Sequence, residues 1–341
     1  MTGKQKAILI IIFLIPFLFI DIINYLTEPS KYDVSEEITF LIPKGASLNQ
    51  VADTLSHYDI IDNKEIFVVL GKVTGAENKL RAGRYRFNSQ MDYYEIFDYL
   101  TGTKSEPIYI TVIEGSSNEM VADAFAGGLN IDRQKFLQLC RDSLFIERIL
   151  GEKRPSLLGY LMPETYAFDW GTKEEQIIRY LVRQTLKIFE RDSVQKAMNH
   201  FQMTRHQVIT MASIIEGEAI LDKERSTIAS VYHNRLERGM RLQADPTIQF
   251  IIPGEPRRLL YDDLKIDSPY NTYIYKGLPP GPINNPSKAS ILAAISPEKT
   301  DYYYFVARGD GSHVFSRTAS EHVRAKAEFD KIRRKVRANK K

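Results

Sequence analysis

A single cysteine in 341 residues leaves no internal disulfide to staple the fold. Cys140 sits in the apolar pattern Phe136, Leu137, Leu139, Cys140 and reads as core. Excess charge of one sign is also missing. Lys and Arg number 46 against 43 Asp and Glu, a formal net charge of +3. No basic patch is interleaved with aromatics, which excludes a nucleic-acid-binding class. The one basic run, Lys331 to Lys341, reads as a solvated helix end. The six histidines are scattered, and no His/Asp/Glu spacing suggests a metal site, so neither metal nor cofactor is expected. Beyond the first 26 residues no stretch is apolar enough to cross a membrane. A hydrophobic content of 43% with 26% charge is that of a folded chain, and the length predicts more than one domain.

The N-terminus carries the one long apolar run. Lys4 and Lys6 precede Ala7 to Leu26, a stretch long enough to span a hydrocarbon core of about 30 Å. The positive flank predicts a cytoplasmic tail (residues 1–6), a transmembrane helix (7–26), a polar linker (27–37) and a chain otherwise outside the cytoplasmic membrane. No small-x-small cleavage site follows the run, which argues for an uncleaved anchor over a signal peptide.

A repeat follows. Gly45, Ser47, Val51, Ala52 and Asp53 recur 70 positions later as Gly115, Ser117, Val121, Ala122 and Asp123. Each copy predicts a strand, a glycine turn, a serine N-cap and an amphipathic helix. Between the copies, Gly83 to Phe87 alternates as a strand and Tyr93 to Leu100 reads as a helix. This strand-helix order over 38–125 resembles LysM-like glycan-binding modules, and a plain scaffold would read the same way. The remainder, 126–341, is expected to be a mixed α+β domain. Within it, Arg133 to Leu150 and 173–200 each read as a helix, with an aromatic loop at Leu158 to Phe168 between them. The fold class is therefore α+β: a transmembrane helix, a LysM-like subdomain and a larger α+β domain.

The chemistry gathers between 205 and 286. Val208 to Ile215 is apolar nearly all round, a buried helix, and Glu216-Gly-Glu218 follows it directly. A carboxylate at the end of such a helix is costly unless paired or functional. Burial would keep it protonated, as a general acid needs. Two residues apart, Glu216 and Glu218 point about 200° from one another, so one of them faces a given cleft. Lys223 to Arg238 predicts a helix closed by Gly239, with Arg235 inside its apolar stripe and in need of an acidic partner. Asn234, at the stripe's edge, would bind sugar hydroxyls or hold a loop. Pro246 is expected to push Asp245 into extended chain, so that Gln243 and Asp245 face the same way. Tyr270-Asn271-Thr272-Tyr273 flanks an amide with aromatics, and Gly277 to Pro286, Pro280 at its centre, is a proline-stiffened loop.

Ala212-Ser-Ile-Ile-Glu-Gly-Glu218, Val231-Tyr-His-Asn-Arg-Leu236, Leu242-Gln-Ala-Asp-Pro-Thr247, Tyr270-Asn-Thr-Tyr273 and Gly277-Leu-Pro-Pro-Gly-Pro-Ile283 together resemble the successive motifs of the YceG-like family. The resemblance extends over the whole chain and departs at Leu158, where the family often has Glu, and at Gly217, where a bulkier residue is expected. It implies an endolytic lytic transglycosylase that cleaves the β-1,4 bond between N-acetylmuramic acid and N-acetylglucosamine in peptidoglycan, leaving 1,6-anhydro ends. The family's catalytic glutamate matches Glu216. The matching substrate-binding candidates are Glu218, Asn234, Gln243, Asp245, Tyr270, Asn271, Tyr273 and Pro280. Peptidoglycan strands, and cell-wall synthesis proteins by the same resemblance, are the implied partners. Two other classes remain open: a non-catalytic glycan-binding scaffold, and a hydrolytic muramidase whose second carboxylate would be Glu218, Asp245 or Glu164.

Overall fold

The structure, a computed structural model, describes residues 38–87, 91–102, 106–254 and 257–338. The expected tail, transmembrane segment and linker lie outside the described residues. Among the described residues no helix is long and apolar enough to cross a membrane. The chain is α+β and divides into two compact units, one running up to residue 109 with 167–172, the other 110–166 with 173–341.

In the first unit, β1 (Ile38–Ile42) pairs antiparallel with β2 (Gly83–Phe87). They are accompanied by α1 (Leu48–His57), α2 (Lys64–Val73) and α3 (Tyr93–Gly102). The strands alternate because one face is buried: Gly83, Tyr85 and Phe87 point inward and Arg84 and Arg86 outward. Phe40 stacks on Phe87, and Phe67 on Phe97, in one aromatic core. Ser47 caps α1 in a reciprocal capping box with Gln50.

The second unit begins with the repeat's second copy, which reproduces the first locally. Gly45 and Gly115 both have positive φ, 80° and 71°, and Ser117 caps α4 (Asn118–Leu129) as Ser47 caps α1. β3 (Ile108–Thr111) and β4 (Thr165–Phe168) form a short two-stranded sheet. The helix expected over 133–150 is two, α5 (Arg133–Leu139) and α6 (Ser143–Leu150). Asp142 restarts the chain by accepting the N–H groups of Leu144 and Phe145. The helix expected over 173–200 is likewise split into α7 (Glu174–Phe189) and α8 (Asp192–Phe201). There Arg191 is extended, and Gln195 Nε2 donates to the freed Phe189 carbonyl.

Five more helices and a hairpin hold the site. α9 (Arg205–Glu218) packs against both α10 (Arg225–Glu237) and α12 (Lys288–Ile295). α11 (Asp245–Ile251) is a short helix, β5 (Tyr304–Ala307) pairs antiparallel with β6 (His313–Ser316), and α13 (Ala319–Ala338) ends the described chain. Asn285 joins three loops without exposing any surface. Its Oδ1 accepts the N–H of Gly159 and Leu161, and its Nδ2 donates to Ser116 O and Asn118 Oδ1.

Candidate active site

α9 exists because its sequence is capped at one end and apolar through its middle. Thr204 and Gln207 form a capping box, and all residues from Val208 to Ile215 are buried. Its last turn delivers two carboxylates to different surroundings, as a 200° separation requires.

Glu216 points into an ionic knot. Its Oε1 accepts from Arg225 Nη1 at 2.9 Å. Its Oε2 accepts from both the N–H and the hydroxyl of Ser287, at 2.8 and 2.6 Å. Arg225 is itself buried and also reaches Asp222 at 2.9 Å, Glu114 at 3.3 Å and Ser290 Oγ at 2.6 Å. Both carboxylate oxygens are therefore engaged by protein donors, one of them a buried guanidinium. The side chain ties the end of α9 to the Ser287 cap of α12. Both oxygens of Glu216, the residue expected as the acid, thus face protein donors.

Glu218 faces the other way, into a cleft. It lines this cleft, of about 450 Å³, together with Gln243, Asp245 and Tyr273. Burial pushes its carboxyl up to about 8, and the charge of Asp245 pushes the same way; the Tyr232 hydroxyl and the Asp245 backbone amide offset only part of this. Tyr232 OH donates to Glu218 Oε1 at 3.1 Å, and burial holds that phenol well above its ordinary value, so it stays a donor. Tyr273 OH donates to Asp245 Oδ1. The site thus sets two carboxyls side by side, that of Glu218 raised by burial and by its neighbour's charge.

The other predicted residues divide. Gln243, Asp245 and Tyr273 line the cleft. Gln243 is left-handed (φ 49°) instead of extended, and Asp245 opens α11 because Pro246 suits a helix's first turn. Asn234 donates to the carbonyls of Thr300 and Tyr302, both at 2.9 Å, and so holds a loop. Asn271 is fully buried and donates to Leu264 O and Ile266 O. Tyr270 packs on Phe250 with ring centroids 4.9 Å apart. Pro280 offers its carbonyl to His206 Nε2 at 3.1 Å. None of these last four lines the cleft. Arg235 finds backbone carbonyls in place of the expected carboxylate: Tyr303 O and Leu242 O, each at 2.6 Å.

Gly217 has a steric reason. A Cβ there would lie 2.6 Å from Pro246 Cβ, so a bulkier residue would push α11, and Asp245 with it, away from Glu218. The sequence reading missed Arg225, Ser287, Asn285 and the cleft residues Phe305, His313, His322 and Lys326. Of these, Arg225 left a signal: an arginine opening a helix nine residues after Glu216. His313 is positioned by Glu224, which accepts its Nδ1 at 2.8 Å and its backbone N–H at 3.2 Å. Among the described residues no cluster of three or more His, Cys, Asp or Glu could hold a metal ion.

The profile of the YceG-like family matches residues 40–328. A Bacillus subtilis protein named endolytic murein transglycosylase is 37% identical over 320 residues, covering 89% of this chain and 88% of the relative. A Streptococcus pneumoniae protein of the same name is 30% identical over 343 residues, covering 87% of this chain and 60% of the relative. Among solved structures, a yceG-like protein of Listeria monocytogenes superposes with a TM-score of 0.60 at 33% identity, covering 85% of this chain and 99% of that one.

Proposed function

The chain belongs to the YceG-like family, and on that premise we propose that it is an endolytic peptidoglycan lytic transglycosylase with Glu218 as its acid and base. The observation that carries the reading is the high carboxyl of Glu218 in a polar cleft, two residues from a Glu216 already committed to Arg225. Relatives bearing the name endolytic murein transglycosylase support the same substrate class.

Protonated Glu218 donates its proton to the leaving glycosidic oxygen between N-acetylmuramic acid and N-acetylglucosamine. The carboxylate left behind takes the proton of the muramyl C6 hydroxyl, whose oxygen attacks C1. The C1–O bond to the leaving sugar breaks and the 1,6-anhydro bond forms. No water is consumed, and Glu218 regains its proton. Because the nucleophile belongs to the sugar under attack, much of the barrier reduction comes from positioning. Gln243, Asp245 and Tyr273 supply the polar contacts that fix the ring. The anchor at 7–26 places the enzyme on the outer face of the cytoplasmic membrane, the repeat region steadies the strand, and nascent glycan beside its synthases is the substrate.

A hydrolytic reading has one observation in its favour: Asp245 stands near enough to Glu218 for its charge to act on it, as the second carboxylate of a glycosidase would. Against it, Asp245 Oδ1 is engaged by Tyr273 OH. Mass spectrometry of strand ends separates the readings. Anhydro ends are expected. Free reducing ends carrying an added water would instead assign Asp245 as a base, and intact strands would leave a binding scaffold.

A further inference from the structure

The Glu218 cleft has a second, cationic end that proton transfer does not use. Arg235 is only 7% exposed. Its donors go to the carbonyls of Tyr303, Leu242 and Arg241, and its guanidinium lies 5.3 Å from the centre of the Tyr304 ring. Carbonyls and a ring satisfy donors but do not cancel a whole charge, and a buried charge left uncancelled is costly. On α13, His322, Lys326 and Phe329 recur at i, i+4 and i+7, one helix face, and all three line the cleft with Arg235. His322 stacks on the same Tyr304 ring, centroids 5.3 Å apart, and its Nδ1 is buried with no hydrogen-bond partner. Burial, and then the charges of Lys326 and Arg235, hold the His322 imidazole below its ordinary value, so two cations share its surroundings. Among the described residues neither Arg235 nor Lys326 has a carboxylate at ion-pair distance. A buried guanidinium with no carboxylate in ion-pair contact, an exposed lysine and an orphaned ring nitrogen at one end of a polar cleft are the complement of a carboxylate.

We propose that Arg235, His322 and Lys326 form a carboxylate-binding subsite beside the acid, which holds the anionic substituent on O3 of the muramyl unit. The inference rests on the transglycosylase reading, since muramyl units alone among the strand's sugars carry such a group. The carboxylate is either that of the bare lactyl ether or one borne by the attached stem peptide. Held at the cationic end, it would fix which sugar of the alternating strand lies over Glu218 and so which bond is cut.

The test uses the full chain and three preparations of one glycan: strands with stem peptides, strands stripped to free lactyl carboxylates, and stripped strands with those carboxylates converted to neutral methylamides. Wild type is expected to favour the best carboxylate-bearing strand over the methylamide by about tenfold in kcat/KM, the value of one charge-assisted contact. Lys326→Ala should lose most of that preference through KM, and Lys326→Arg should restore it. Preference for peptide-bearing strands assigns the carboxylate to the peptide, and preference for stripped strands assigns it to the lactyl group. Equal KM on charged and neutral strands, or an equal loss by Lys326→Ala on all three, overturns the subsite while leaving the activity intact. If no strand is cleaved the transglycosylase reading falls. Co-sedimentation with the same three strands then still decides the subsite: a binding preference for carboxylate that Lys326→Ala removes supports it, and equal binding overturns it.

Discussion

Glu216 and Glu218 stand two residues apart in the chain and differ in what faces them. Glu216 is met by Arg225 and Ser287, Glu218 by the Tyr232 phenol and the charge of Asp245. Glu218→Gln is expected to keep the fold and lose at least about a hundredfold in cleavage, the usual share of a general acid. Glu216→Gln should cut activity less and stability more, by about 1–3 kcal/mol, because it uncouples part of a buried ion pair. Turnover assays and thermal melts on the two variants check this ranking, and the reverse ranking would return the acid to Glu216. The raised carboxyl of Glu218 also fixes a sign. Between its ordinary value of 4.5 and about 8 the folded state holds a proton that the unfolded state has lost. Stability therefore falls as pH rises through that window. Glu218→Gln abolishes the penalty, so the variant should be more stable than wild type at pH 9, by on the order of 3 kcal/mol, and nearly equal at pH 4. Urea titrations at the two values measure it. The same carboxyl predicts an alkaline limb of cleavage near pH 8, which Asp245→Asn should move toward lower pH by removing a like charge.

At the scale of elements the site is a meeting of helix ends: α9 brings Glu218, α11 brings Asp245, and Gly217 lets them meet. With Pro246 Cβ 2.6 Å from where a side chain would start, Gly217→Ala has to displace α11. The expected result is a loss of about 1–3 kcal/mol in stability from overpacking, with a drop in kcat larger than the change in KM; melts and steady-state kinetics test it. A variant with wild-type kcat would mean that Asp245 needs no fixed distance from Glu218. The sequence made α9 legible because an unbroken apolar run with a cap has no other stable reading. It also showed two carboxylates on different sides. It did not show which side was the cleft, because that depends on Arg225 and Ser287, 9 and 71 residues further along the chain. Asn234 and Asn271 looked like sugar ligands for a related reason: an amide that donates to backbone carbonyls of a distant loop has the same local sequence as one that faces solvent. The breaks after α5 and α7 escaped the apolar periodicity because they are only three and two residues long, 140–142 and 190–191.

For the whole molecule, the repeat was legible as two copies of one local design, since Gly45 and Gly115 both need a left-handed backbone and Ser47 and Ser117 both cap a helix. That the copies fall in different compact units was not legible, because local sequence does not say what a helix packs against. The expectation of where the molecule works rests on residues 1–37. Lys4 and Lys6 ahead of the apolar run from Ala7 to Leu26 predict a cytoplasmic N-terminus and everything from residue 38 onward outside. The substrate demands the same side, because peptidoglycan is outside the membrane. At up to about 3.5 Å per residue, a linker over 27–37 would keep the first unit within about 40 Å of the membrane, so new strands would be met before mature wall. Protease added to intact cells stripped of their wall should therefore digest the chain down to a small membrane-protected fragment containing residues 7–26. Full-length protein that resists until the membrane is permeabilised would overturn this topology, and a mature N-terminus near residue 28 would show the segment to be a cleaved leader.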